Sequence, residues 1–365
     1  MQEIGQGMDS GFGNQSFEEF VSLARMSMKS VHNYLSTIQS IPSWNVPYDG
    51  HVAAPNPPLT ERKNMRITPI KLEPNRDGTR VVAIDASILG LGETQCGILY
   101  AIRGTVVSKE GRRYRYSRLG PLLFHINVGE ITITNMNSPG DCTILSMDNG
   151  RTSPTNVCGR LLAIFETMLK MQATKNFSNA VLLWDGTLTV PAIEEDIRLA
   201  NVLMQSARER ANSIMGLSKK TCLFSLQATG RTLQKHSGPC LLDIDCLLNR
   251  TQRLLQLGRV YVAKLASNGL SFRLDIDREL PETERVVAVE RIMGNDLTQD
   301  GYPETLRLAH IFSKFNSTEV IGMHRFLNEE YGLRILEYPN IRRILFGPFA
   351  GNLSKEPDAA YAKPI

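Results

Sequence analysis

The chain contains no run of roughly 20 apolar residues, the length a bilayer-spanning helix needs, so no membrane segment is expected. Its first residues, MQEIGQGMDSGFGNQ, carry neither a basic segment nor an apolar core of the secretory kind, and the expected location is cytoplasmic. Cysteine is scarce. The six residues, at 96, 142, 158, 222, 240 and 246, form no CxxC pair and have no histidine at zinc-finger spacing, which points to free, buried thiols in a reducing compartment. Charge of one sign is not in large excess either: the net charge is +4 and the pI about 8.7, so a basic surface for nucleic acid has to be argued locally. What remains is the composition of a soluble globular protein, 42% hydrophobic and 21% charged, and 365 residues suffice for one large domain or two ordinary ones.

The most informative stretch is VLLWDGTLTVP, in which Val181 to Trp184 read as a buried strand that delivers Asp185 to its carboxyl end before Gly186 turns the backbone. An Asp-Gly turn between apolar segments is the plain alternative. The pattern occurs twice, however: Val81 to Ile84 form a second apolar run ending in Asp85. Two strands ending in aspartate suggest two carboxylates meeting at one sheet edge, an arrangement that holds hard divalent cations.

Residues 1–15 are rich in Gly, Gln and Asn and are expected to be disordered. Ser16 and Glu19 form a capping box, and Phe17, Val21, Ala24, Met28, Val31, Leu35 and Ile38 recur as a heptad seam. That seam packs either on its own domain or on a second copy. A proline-rich stretch, 41–58, reads as an extended connector. CGILYAIRGTVV and RRYRYSR then read as strands, with Arg113 and Arg115 on one face of the latter and Tyr114 and Tyr116 on the other. Basic residues interleaved with aromatics can hold phosphates and stack on bases; an edge strand guarded by charge gives the same pattern.

Residues 155–172 read as a helix with Leu161, Leu162, Phe165, Met168 and Leu169 on one side and Glu166 beside that face, where a carboxylate is costly unless paired or bound to a cation. Helices are also expected over 192–215 and 241–257. RVYVAKLA, LSFRLDI and RVVAVERI read as strands, with Lys264 in the first either contacting a phosphate or snorkelling. In GYPETLRLAHIFSKF, Pro303 suits the first helical position. Leu308, Ile311, Phe312 and Phe315 make the expected buried face, and Arg307, His310 and Lys314 a stripe on another. Such a stripe suits a phosphodiester site or simply water.

In order, IDAS, a helical glutamate, LLWDGTL, AKLAS and GYPETLRLAH make the stretch from Val81 to Phe315 resemble the NurA family of prokaryotic double-strand-break repair nucleases. The resemblance implies an RNase H-like α/β fold, a mixed sheet flanked by helices, with an N-terminal helical extension. It also implies a homodimer acting on DNA with a HerA-type hexameric translocase, as a manganese-dependent nuclease, with magnesium as the other candidate. The expected activity is 5′-3′ exonucleolytic, with endonuclease action on single strands. Asp85 and Asp185 match the metal-binding aspartates, Tyr302 and His310 the active-site tyrosine and histidine, and Glu166 is the candidate for the helical acid. His310 would be a metal ligand or proton shuttle, and Tyr302 would orient a phosphate or water. Arg113, Arg115, Tyr114, Lys264, Arg307 and Lys314 are the candidates for nucleic-acid contact. The expected division is 1–15 disordered, 16–78 helix and connector, 79–330 nuclease domain and 331–365 a C-terminal extension.

Three other readings compete. An actin-like or sugar-kinase-like ATPase needs glycine-rich phosphate loops, and none follows Asp185. A haloacid-dehalogenase-type phosphatase needs an aspartate where Leu183 stands. The third is a catalytically silent subunit that binds DNA ends or docks the translocase.

Overall fold

The computed structural model describes residues 15–34, 37–40, 68–94, 97–127, 132–135, 143–146, 154–219, 233, 236–248, 254–267 and 269–336. Helix α1 (Gln15–Tyr34) precedes strands β1 (Thr37–Ser40) and β2 (Ile70–Lys71). A long antiparallel meander follows, β3 (Arg80–Glu93), β4 (Gly97–Glu110) and β5 (Arg113–Asn127), and then a small hairpin, β6 (Thr132–Asn135) and β7 (Thr143–Ser146). Next come α2 (Pro154–Asn176), β8 (Ala180–Asp185), β9 (Thr189–Pro191), α3 (Glu194–Glu209) and β10 (Ser213–Ser218). The chain continues through β11 (Cys240–Asp243), β12 (Leu254–Gln256), β13 (Gly258–Lys264), β14 (Ser271–Asp277) and α4 (Glu282–Asn295). A minimal hairpin, β15 (Thr298–Gln299) and β16 (Tyr302–Pro303), leads to α5 (Glu304–Ser313), α6 (Ser317–Tyr331) and β17 (Arg334–Leu336).

Among the described residues one 11-stranded sheet dominates. At its heart the order is β5-β4-β3-β8-β10, the first three antiparallel and β8 and β10 parallel to β3. Three antiparallel strands with the fourth and fifth added parallel beside the first are the RNase H-like arrangement, here extended through β14, β13, β11 and β2. β8 and β10 are buried at every residue, as parallel strands covered on both faces must be. One face is covered by α2 and α3, whose Leu162, Phe165, Leu169 and Leu203 pack with Ile84 and Trp184. The other is covered by α4 and α5, whose Val289, Ile292, Leu306 and Ala309 pack with Ala83 and Leu183. β1 pairs with both the end of β3 and β17, so short segments from either side of the central domain join the same sheet.

Several expectations are corrected. The helix expected to reach residue 215 stops at Glu209, because Ala211 turns into the left-handed region (φ 55°) and Asn212 bonds back to Phe177 and Ala180, freeing Ser213–Ser218 to join the sheet. The helix expected over 241–257 is replaced by β11, one 3-10 turn (Asp245–Leu247) and β12. RVVAVERI is helix α4: Pro281 caps it, Glu282 and Glu284 fill its first turn, and Arg285, Ala288, Val289 and Ile292 recur at helical spacing on its buried side. The seam on α1 ends at Tyr34, and Ile38 lies in β1. The helix's buried line is Phe20, Ala24, Met28 and Val31: Phe20, against Phe124 and Phe165 of the same domain, takes the place of the expected Phe17 and Val21, which are half-buried. Cys158 and Cys240 are buried and in no disulfide, whereas Cys246 is exposed. The side chain of Ser16, residues 1–14, Leu35 of the seam, the whole 41–58 connector and residues 337–365 lie outside the described residues. No helix among the described residues is long and apolar enough to cross a membrane.

Candidate metal centre

β3 does not end at Asp85, as the sequence suggests, but runs on to Glu93. The two aspartates still meet, because β8 is the shorter strand: Ile84 pairs with Trp184, so Asp85 and Asp185 come next in the same parallel register. Successive strand residues point to opposite faces. With Ile84 and Trp184 turned toward α2, both carboxylates turn toward α5. Gly186 makes the turn after Asp185 with φ 113°, a conformation β-carbon-bearing residues avoid. Gly216 of β10 lets that turn close in, since a Cβ there would lie 2.6 Å from the Gly186 carbonyl.

Helix α5 brings the third group. Pro303 caps it instead of filling its first position. Its buried line is Thr305, Leu306, Ala309 and Ser313, rotated from the expected Leu308, Ile311, Phe312 and Phe315, and Ile311 is exposed. The small Ala309 and Ser313 allow α5 close to β3, which turns His310 inward. Its Nδ1 lies 2.9 Å from Asp85 Oδ2 and 3.3 Å from Asp185 Oδ2. Ser313 Oγ donates to the same Asp85 oxygen at 2.9 Å, and the Ala86 amide donates to the other at 2.9 Å. Hydrogen bonds first to Asp185 and then to Asp85 push His310 up to about 9, so at neutral pH an imidazolium proton is shared between two carboxylates. Lys219, just past β10, adds a second cation, with Nζ 2.7 Å from Asp185 Oδ2.

Donor atoms of Asp85, Asp185 and His310 all lie within 4.8 Å of one another, and this group can hold a metal ion. Tyr302 supplies an independent sign that something belongs here. It is buried against Phe272, Lys219 lies 5.5 Å from its ring centre, and its hydroxyl has no hydrogen-bond partner among the described residues. Burial, then the charges of Asp185 and Asp85, push its ionisation far upward, so the hydroxyl keeps its proton. A buried orphan donor is costly, and a bound water or phosphate oxygen would satisfy it.

The remaining candidates are not brought together with these four. Glu166 is a correction to the expected carboxylate set: α2 packs on the other face of the sheet, where Glu166 pairs with Lys170 at 3.2 Å and Lys170 lies 4.9 Å from the Trp184 ring centre. A cavity of about 780 Å³ opens beside Glu166 and Trp184 between α2 and α3, on the far side from the aspartates. Lys264 lies on β13, separated from β8 by β10 and β14, and donates to the His236 carbonyl at 3.1 Å. Arg307 folds onto Glu304 at 2.6 Å. Lys314 ends α5, and its carbonyl accepts from Arg103, which with Arg118 grips Glu319. Tyr114 donates its hydroxyl to Asp296 at 3.0 Å. Arg113 and Arg115 are exposed along β5.

Fold and site thus define an RNase H-like domain whose acidic centre has the donor atoms to hold a cation. No family model matches the chain, and no curated protein matches it. Among solved structures it is similar to the NurA nuclease from Sulfolobus solfataricus, at 14% identity and a TM-score of 0.48 over 72% of this chain and 88% of that one. A second NurA structure is 11% identical with a TM-score of 0.43, over 72% of this chain and 91% of that one. Endonuclease V from Streptomyces avermitilis is 12% identical with a TM-score of 0.34, over 88% of this chain and 97% of that one. At these values the fold assignment rests on strand order, not on the likenesses.

Proposed function

We propose that the chain is a divalent-metal-dependent deoxyribonuclease that hydrolyses phosphodiester bonds at DNA ends. The convergence of Asp85, Asp185 and His310 beside the Tyr302 hydroxyl, which has no hydrogen-bond partner among the described residues, carries this reading. Two carboxylates and an imidazole suit manganese, with magnesium the harder alternative. A cation bound there would neutralise charge on the phosphoryl oxygens and make water nucleophilic near neutral pH. Asp85 and Asp185 would hold it, joined by His310 once that side chain gives up its shared proton. Lys219 would turn from Asp185 toward a phosphate oxygen, and Tyr302 would donate to a phosphate or water. Glu166, paired on the other face, is given no ligand role.

The order of motifs from Val81 to Phe315 supports the finer reading. It comprises a nuclease domain over 79–330 in a cytoplasmic homodimer, acting 5′-3′ and on single strands during double-strand-break end resection with a HerA-type translocase. Asp85→Asn removes a ligand without changing shape, so cleavage of linear DNA should fall roughly 100-fold or more while thermal unfolding stays near that of the parent. Retained cleavage by the purified variant would sink the assignment.

A further inference from the structure

The two tyrosines of RRYRYSR share one face of β5, yet the structure treats them differently. Tyr114 is tied down by Asp296, and Lys109 lies 5.7 Å from its ring centre. Tyr116 is 58% exposed and rests on Phe312 of α5, ring centres 4.7 Å apart. Phe312 lies two residues beyond His310 on the same helix. The pairing Tyr116–Val107 and Val107–Ala83 puts Tyr116 on the face that carries Asp85, two strands away and two residues back. At strand spacings of ~4.8 Å and ~3.4 Å per residue, that is about 12 Å of backbone separation, or about three nucleotides at a stacked rise of ~3.4 Å. Arg113 and Arg115 project from the opposite face of this edge strand; they and Arg112, in the turn before it, are exposed and make no ion pair among the described residues. An edge strand guarded by charge accounts for the arginines. It does not account for a large aromatic surface left open beside them.

We propose that Tyr116, backed by Phe312, is a base-stacking platform that receives an unpaired nucleobase of a single-stranded nucleic acid about three nucleotides from the phosphate at the carboxylates. Every base offers a π face while a duplex hides its own, so the platform selects for unpaired strand and not for sequence. It also deepens the nuclease reading and rests on it for the strand's position.

The test measures binding of a fluorescently labelled oligothymidylate to the full-length protein in EDTA, where no cleavage intervenes, for the parent, Tyr116→Ala and Tyr116→Phe. Stacking on a single ring predicts about 5- to 100-fold weaker binding for Tyr116→Ala, and parental binding for Tyr116→Phe. Tyr116→Ala removes no charge and should leave the salt dependence of binding unchanged. A 2-aminopurine scanned along the oligonucleotide should be quenched at one position by the parent and at none by Tyr116→Ala. Equal binding by parent and Tyr116→Ala, no binding by the parent, or a change of oligomeric state with Tyr116→Ala would each overturn the platform. Tyr116-dependent binding without metal-dependent cleavage would refute the nuclease and leave the platform standing; cleavage with Tyr116-independent binding would do the reverse.

Discussion

His310 is where the site's electrostatics are most exposed to test. Its folded pKa, about 9, lies above the ordinary value of 6.5. In metal-free protein its ion pairs therefore contribute stability fully below about pH 6.5, and that contribution is lost as pH rises through about 9. Imidazole titration followed by NMR in EDTA should give a midpoint near 9 in the parent and a lower one in Asp185→Asn; an unchanged midpoint would show that the aspartates do not hold the proton. Asp85, Asp185, Tyr302 and His310 were legible in the sequence because each belongs to a compact local pattern, a strand run ending in acid or a Tyr-Pro helix start. Lys219 was not. Its strand reads as the tail of a helix, and only the parallel pairing of Leu217 with Asp185 brings the lysine there. Ser313 escaped notice because its role depends on a rotation of α5 that apolar spacing alone puts elsewhere.

Among the elements, β14 steadies the turn that follows Asp185. Asp275 accepts two hydrogen bonds from Arg273, at 2.7 and 2.9 Å, one from Gln256 at 2.9 Å and one from the Leu188 amide at 3.0 Å. Arg273 and Asp275 are both fully buried, so Asp275→Ala would take the carboxylate from a buried guanidinium and should cost about 3–5 kcal/mol in urea denaturation. A loss below about 1 kcal/mol would show that this network does not anchor the turn. LSFRLDI is readable as a strand because apolar and polar residues alternate along it, although both of its faces prove to be buried. RVVAVERI was misread for a physical reason: a β-branched run mimics a strand, and what decides it is the Pro281 cap and burial at helical spacing, which the apolar run masks.

Across the molecule, the open question of what covers α1 has an intramolecular answer among the described residues. Phe20 stacks on Phe165 with ring centres 5.0 Å apart and meets Phe124 edge-on at 5.2 Å. Phe20→Ala should therefore cost about 3–5 kcal/mol, independent of protein concentration; a penalty that shrinks at high concentration would place the seam between copies instead. A heptad spacing alone cannot tell these apart, since it reports which residues want cover and not what provides it. The central claim, that the paired aspartates make a metal-dependent nuclease, is tested most directly with end-labelled linear DNA. The purified protein and Asp185→Asn are each incubated with it in manganese, magnesium or EDTA. Progressive release of label is expected from the parent with manganese, none in EDTA, and none from the variant in any buffer. Cleavage that survives EDTA or Asp185→Asn, or an inactive parent with either cation and a HerA-type partner, would contradict that claim.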